Sequence, residues 1–112
     1  GTNSKIENSM VAEGCNIYGT VDFSILFSGV IIEEGAVVRD SIIMPNTTVK
    51  KDAVIEYAIV GEDCVIGQNV RVGARPETIQ DKDTWGVAVV GHKVNVSDDT
   101  IIKPKAMISE SL

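Results

Sequence analysis

Apolar positions along this chain do not recur every three or four residues, as the buried stripe of a helix would. They fall six, five and six residues apart: Ile32, Val38, Ile43, Val49, Ile55, Val60, Ile66, Val72. The set closes on itself every 17 residues. Ile32, Val49 and Ile66 are one series, Val38, Ile55 and Val72 another, and Ala36, Ala53 and Val70 a third. Short hairpins do not hold such a spacing through so many turns. A three-sided coil with one apolar anchor per side does. The pattern therefore predicts stacked coils of short parallel strands whose inward side chains form columns.

The register runs backwards with one contraction. The segments 7–11, 22–26, 39–43 and 56–60 share one form, polar, variable, small, apolar, apolar, at spacings of 15, 17 and 17. The first turn is shorter because Ile17 and Val21 are only four residues apart. Corners are expected at Gly14, Gly19, Gly29, Gly35, Asn46, Asp52, Gly61, Asp63 and Gly67. These residue types tolerate the left-handed backbone region that tight corners need. From Val90 the repeat returns in strict sixes, through Val96 and Ile102 to Ile108. Residues 74–88 carry no repeat and read as a long loop. Trp85, the only Trp, is expected to cover the side of the coil with its ring, a partner or ligand contact being the alternative. The predicted layout is one domain, 1–112, with coils over 7–73, a loop over 74–88 and a final coil over 89–108. The polar tail from Ser109 is expected to fray.

Composition agrees with a narrow, layered core. Hydrophobic residues make up 44% of the 112, but aromatic ones only 4%. Val and Ile carry the difference, and β-branched side chains favour strands. No apolar run is long enough for a membrane span. A net charge of −6 argues against duplex nucleic acid or an anionic membrane as partner. The charge is uneven. Residues 1–70 hold ten acids and four bases, and residues 71–112 six of each. Any taste for an anionic ligand should sit in the last third. The first residue is not Met and the repeat begins almost at once, as expected of a piece of a longer protein.

Cys15 and Cys64 are predicted to share a small inward column, with Val30 and Thr47 between them. Three coils put them about 14 Å apart, too far for a disulfide. Buried free thiols suit a cytoplasmic protein. His92 is the only histidine, too few for a three-histidine zinc site. It lies beside a corner and is expected to be exposed.

The unit of aliphatic, often Gly, two polar, small and any residue, as in Val60-Gly-Glu-Asp-Cys-Val and Ile66-Gly-Gln-Asn-Val-Arg, resembles the hexapeptide repeat. That resemblance implies an all-β, single-stranded left-handed parallel β-helix, here of about five coils with one long loop insertion. The irregular coils, with the segments 7–15, 40–45 and 56–67, resemble the C-terminal domain of bacterial glucose-1-phosphate adenylyltransferase. The return through Gly86-Val87-Ala88-Val89-Val90-Gly91 is similar to that family too. The family enzyme makes ADP-glucose and pyrophosphate from ATP and glucose 1-phosphate for glycogen synthesis. The resemblance implies several further things. Catalysis, with Mg2+ and ATP, belongs to an N-terminal domain, so this stretch by itself should be inactive, with no catalytic residue, metal ligand or cofactor of its own. Its partners are that catalytic domain, further copies in a homo-oligomer (a tetramer), and a phosphorylated metabolite or nucleotide effector. Arg71, Arg75, His92 and Lys93 are the candidate effector contacts, with Lys103 and Lys105 nearby. The alternatives are a hexapeptide acyltransferase using His92 as base, the tail of another sugar nucleotidyltransferase, and a noncatalytic paralogous subunit.

Overall fold

The computed structural model describes residues 4–112; Gly1 to Asn3 of the polar N-terminal stretch lie outside the described residues. Strands β1 (Lys5–Glu7), β2 (Met10–Val11) and β3 (Asn16–Ile17) make the first turn. The second is β4 (Thr20–Asp22), β5 (Ile25–Leu26) and β6 (Ile31–Ile32), and the third β7 (Val37–Arg39), β8 (Ile42–Ile43) and β9 (Thr48–Val49). The fourth is β10 (Val54–Glu56), β11 (Ala58–Val60) and β12 (Val65–Ile66). Then come β13 (Arg71–Val72), β14 (Ala88–Val90) and β15 (Asn95–Val96), and finally β16 (Ile101–Ile102) and β17 (Met107–Ile108). Every third strand stacks on the last, and every pairing is parallel. The first sheet is β1-β4-β7-β10-β13-β16, the second β2-β5-β8-β11-β14-β17, and the third β3-β6-β9-β12-β15. This is a parallel β-helix of about six turns, consistent with the left-handed form.

The inward columns are those the spacing predicts. Val21, Val38, Ile55, Val72 and Ile102 line the first sheet, and Leu26, Ile43, Val60 and Val90 the second. Ala36, Ala53 and Val70 stack at the narrow position, each with no exposed surface. Two-residue strands are marginal alone. Here the inner ones are held by ladders on both sides and the end ones by a single ladder, so cohesion comes from neighbouring turns.

Corners also stack. Non-glycine residues with φ between +46° and +62° recur at equivalent positions, as in the series Asn8, Phe23, Asp40, Tyr57 and the pair Asn46, Asp63. Left-handed Phe and Tyr are uncommon. They are tolerated because the backbone ladder continues through them: Phe23 N donates to Glu7 O at 3.2 Å, Tyr57 N to Arg39 O at 3.1 Å. Three of the expected corner glycines are there for a different reason. Gly19, Gly61 and Gly67 are not left-handed; a Cβ on them would come within 2.3–2.7 Å of the next turn. They allow close approach rather than handedness.

A serine ladder, buried at Ser24 and Ser41, runs along the corner between the first and second sheets. Ser9 Oγ accepts from Ser24 N, Ser24 Oγ from Ser41 N, and Ser41 Oγ from Ala58 N at 3.1 Å. Each hydroxyl donates back to the carbonyl two residues earlier. The ladder stops at Ala58, which has no hydroxyl. Ala88 N turns instead to Tyr57 O at 3.2 Å. The loop enters the coil at this place.

The tail does not fray. Leu112 N donates to Asn95 O, Ser97 N to Leu112 O, and Asn95 N to Ser111 Oγ. The last residues therefore extend the third sheet below β15. The polar sequence concealed this, because backbone groups make most of the pairing.

Candidate functional site

The outer face of the first sheet carries charge in register. Pairing of β1, β4, β7 and β10 stacks Glu7, Asp22, Arg39 and Glu56 in one column. Glu56 Oε2 accepts from Arg39 Nη1 at 3.5 Å and from Arg75 Nε at 3.2 Å. Asp22 Oδ1 is buried without a partner, since Arg39 turns toward Glu56. Arg71 and Lys103 project outward from β13 and from just past β16, strands whose register sets Val72 beside Ile102. Between them Gly73, at φ +72°, lets the chain leave the coil. A side chain there would meet Glu56 O at 2.0 Å.

The loop is built, not slack. It holds two short 3-10 turns, Pro76–Thr78 and Lys82–Thr84. Asp81 caps the second by accepting from Asp83 N at 3.0 Å, and Lys82 Nζ reaches back to Pro76 O. Trp85 Nε1 donates to Ala74 O at 2.7 Å, and its ring meets Tyr57 edge-on at 5.5 Å. The ring thus covers the side of the coil, as expected, and also ties the loop's two ends together. Lys105 Nζ donates to Asp83 O at 3.1 Å. A cleft of about 670 Å³ opens between Ile79 and Thr84 of the loop and Lys103 to Ala106 of the last turn.

Arg71, Arg75, Lys103 and Lys105 therefore gather on the first sheet and its corner with the second. His92 and Lys93 do not join them. Both are exposed, but they occupy the corner between β14 and β15, where Lys93 N donates to Glu62 O. One side of the triangle, roughly 15–20 Å for five or six extended residues, separates the two groups. Chain proximity suggested a single cluster; successive corners of a coil diverge. The Glu56-centred pairing was missed as well. Its signal is present as charged residues spaced 15, 17 and 17 apart in the column Glu7, Asp22, Arg39, Glu56.

Of the two cysteines expected to be buried free thiols, Cys64 is buried and Cys15, in the first turn, is only half-buried. Both are free, and Cys15, Val30, Thr47 and Cys64 share a column through the backbone ladder of the third sheet. Cys64 Sγ donates to Gly91 O at 2.9 Å. Burial pushes its thiol up from the ordinary range. This describes a packed core residue, not a nucleophile.

The outer face of the second sheet is of another kind. The column Met10, Ile25, Ile42, Ile59, Val89, Met107 is wholly apolar. The column beside it, Ala12, Phe27, Met44, Gly61, Gly91, Ser109, has no charge either. A shallow groove of about 340 Å³ lies between Phe23, Ile25, Ile42, Ile59 and Val87, with Asp40 at its edge.

The chain is 58% identical over 33 residues to the glucose-1-phosphate adenylyltransferase of Pseudothermotoga lettingae, 30% of this chain and 8% of that protein. It is 53% identical over 36 residues to the same enzyme of Acetivibrio thermocellus, 32% of this chain and 8% of the relative. With that of Bacillus cereus it shares 52% identity over 33 residues, 30% of this chain and 9% of the relative. The matched segments thus span less than a tenth of these relatives. A broader match comes from the family described as GlmU-like, C-terminal hexapeptide, whose model covers residues 1–92. With stacked parallel turns, aligned corners and most of its length matched, the chain belongs to the GlmU-like C-terminal hexapeptide family.

Proposed function

We propose that this domain is the C-terminal oligomerisation and regulatory part of a glucose-1-phosphate adenylyltransferase, the enzyme that forms ADP-glucose and pyrophosphate from ATP and glucose 1-phosphate for glycogen synthesis. The identity of 52–58% to such enzymes over 33 residues carries the reading. Chemistry then resides in a separate N-terminal domain in the cytoplasm. Among the described residues no group of three His, Cys, Asp or Glu is placed to hold a metal. The Mg2+ that accompanies ATP would be held by that other domain.

The effector site is formed where the basic residues meet the catalytic domain. Arg75 presents a planar fork suited to phosphate oxygens. It is half-exposed and paired with Glu56, so an anion would compete for it. Arg71, Lys103 and Lys105 supply further positive charge beside the cleft. His92 and Lys93, one corner away, would reach the same effector only through a surface contributed by another domain or subunit.

The test is alanine substitution of Arg75, and separately of Lys93, in the full-length enzyme. Arg75→Ala should raise the effector concentration for half-maximal response at least about tenfold, the loss of one charge-assisted contact of 1.5–3 kcal/mol, and leave turnover without effector unchanged. Activation and inhibition constants identical to the parent's in both variants would sink the reading.

A further inference from the structure

We propose that the outer face of the second sheet is a two-fold interface between two copies of this chain, their solenoid axes antiparallel. The proposal rests on the reading of the domain as an oligomerisation module and names the surface it would use.

Twelve large hydrophobic side chains stand exposed among the described residues. Seven of them sit on this face or its rim, and the remaining five are scattered over the ends and other faces. Applied to side chains of 150–250 Å², their exposures leave roughly 700 Å² of apolar surface in water. The largest patch on an ordinary monomer is about 300–600 Å². A standard interface uses about 800 Å² per partner. The patch is therefore large for a free surface and close to what a dimer needs.

The order of side chains favours a second copy over an unrelated partner. Down the central column it reads Met10, Ile25, Ile42, Ile59, Val89, Met107. That is Met, three Ile, Val, Met, nearly the same in both directions. A two-fold axis lying in the interface, perpendicular to the solenoid and between Ile42 and Ile59, turns the column onto itself. In such an isologous contact residue i meets j and j meets i. Met10 then faces Met107, Ile25 faces Val89, and Ile42 faces Ile59. Flexible Met side chains fill the ends, and β-branched ones pack the middle. The rim obeys the same reversal. Phe23 comes opposite Val87, Asp40 opposite Tyr57, and Asn8 opposite Lys105, so no like charges meet on this rim; on the other rim the exposed Glu13 comes opposite the exposed Glu110, at the solvated edge of the contact. Neither outward column of this sheet contains a charge to desolvate.

Sedimentation of the 112-residue chain at about 100 μM tests this. The expected mass is about 24 kDa, twice the 12.0 kDa of one chain. The double variant Ile42→Lys, Ile59→Lys should sediment as a single chain with an unchanged circular dichroism spectrum, because both side chains point outward. Its dissociation constant should rise at least about 100-fold, the loss of two buried aliphatic contacts. Independently, Met10→Cys chains mixed with Met107→Cys chains should form a mixed disulfide on oxidation, in preference to either self-pair. A native chain sedimenting at 12 kDa would overturn the proposal and leave the face to another domain or protein. A mass near 36 kDa, a dimer surviving in the double variant, or self-linking of Met10→Cys would overturn it too. Effector constants of the full-length enzyme do not depend on this result, so the interface can fail while the regulatory reading stands.

Discussion

The outer faces of the first and second sheets share one backbone, one set of ladders and one buried core. The first presents Lys5, Glu7, Asp22, Arg39, Glu56, Arg71 and Lys103. The second presents no charge in either outward column. In a β-helix the inward columns are dictated by the need to fill a narrow core. Outward columns are not, so their chemistry is free to answer to whatever lies outside. In the proposed dimer the two faces meet two kinds of neighbour: water and ions beside the first sheet, a dry second copy over the second.

That contrast stands only if the two faces share the same interior, and the severest check is to charge it from each side. Ile55→Asp behind the first sheet and Val60→Asp behind the second should each cost about 4 kcal/mol or more, since both positions are wholly buried. Circular dichroism should show both unfolded at ambient temperature. Tolerance of either one would mean that the sheets do not depend on a common core. Ala53→Leu comes next, at about 1–3 kcal/mol from overpacking the narrow column. The urea midpoint should fall with the slope unchanged. Ser41→Ala leaves Ala58 N–H without its acceptor, at a cost of about 1–3 kcal/mol. Hydrogen exchange should speed at Ala58 before it does at Val60. The smallest effect belongs to the charged face itself. Glu56→Gln should change stability by no more than about 1 kcal/mol, yet release Arg75 and speed protease cleavage within residues 75–84. A large loss of stability there would show that the charged face is part of the frame, and would undo the contrast.

Most of the frame was legible from spacing. Anchors such as Val38, Ile55 and Val72 have no freedom, because each turn must place one apolar residue per side. The columns of the second outer face were equally visible in the form polar, variable, small, apolar, apolar. The anchor series also told the two apolar residues of that form apart, since Ile43 and Val60 belong to it and point in, while Ile42 and Ile59 do not. The basic cluster was read from chain order, which fails where a loop intervenes: Arg75 and Lys93 are separated by a side of the triangle. For Glu56 the spacing carries only its pairing with Arg39, one turn before; Arg75 reaches it from the loop, outside the repeat. The tail escaped notice because its pairing uses main-chain groups of Asn95 and Leu112, which carry no side-chain signal.

The break in the serine ladder has a practical side. Ala58 is the last residue of the corner to take a hydroxyl from the turn before; at Ala88 the corner uses Tyr57 O instead, and this same turn accommodates a long excursion whose ends are clasped by Trp85 and Ala74. That makes the site a socket. A foreign peptide spliced between Pro76 and Thr84 would begin and end on a fixed base without touching the stack of coils. The protein can thus gain a new binding specificity at this one address, by insertion or by engineering, while its scaffold stays the same.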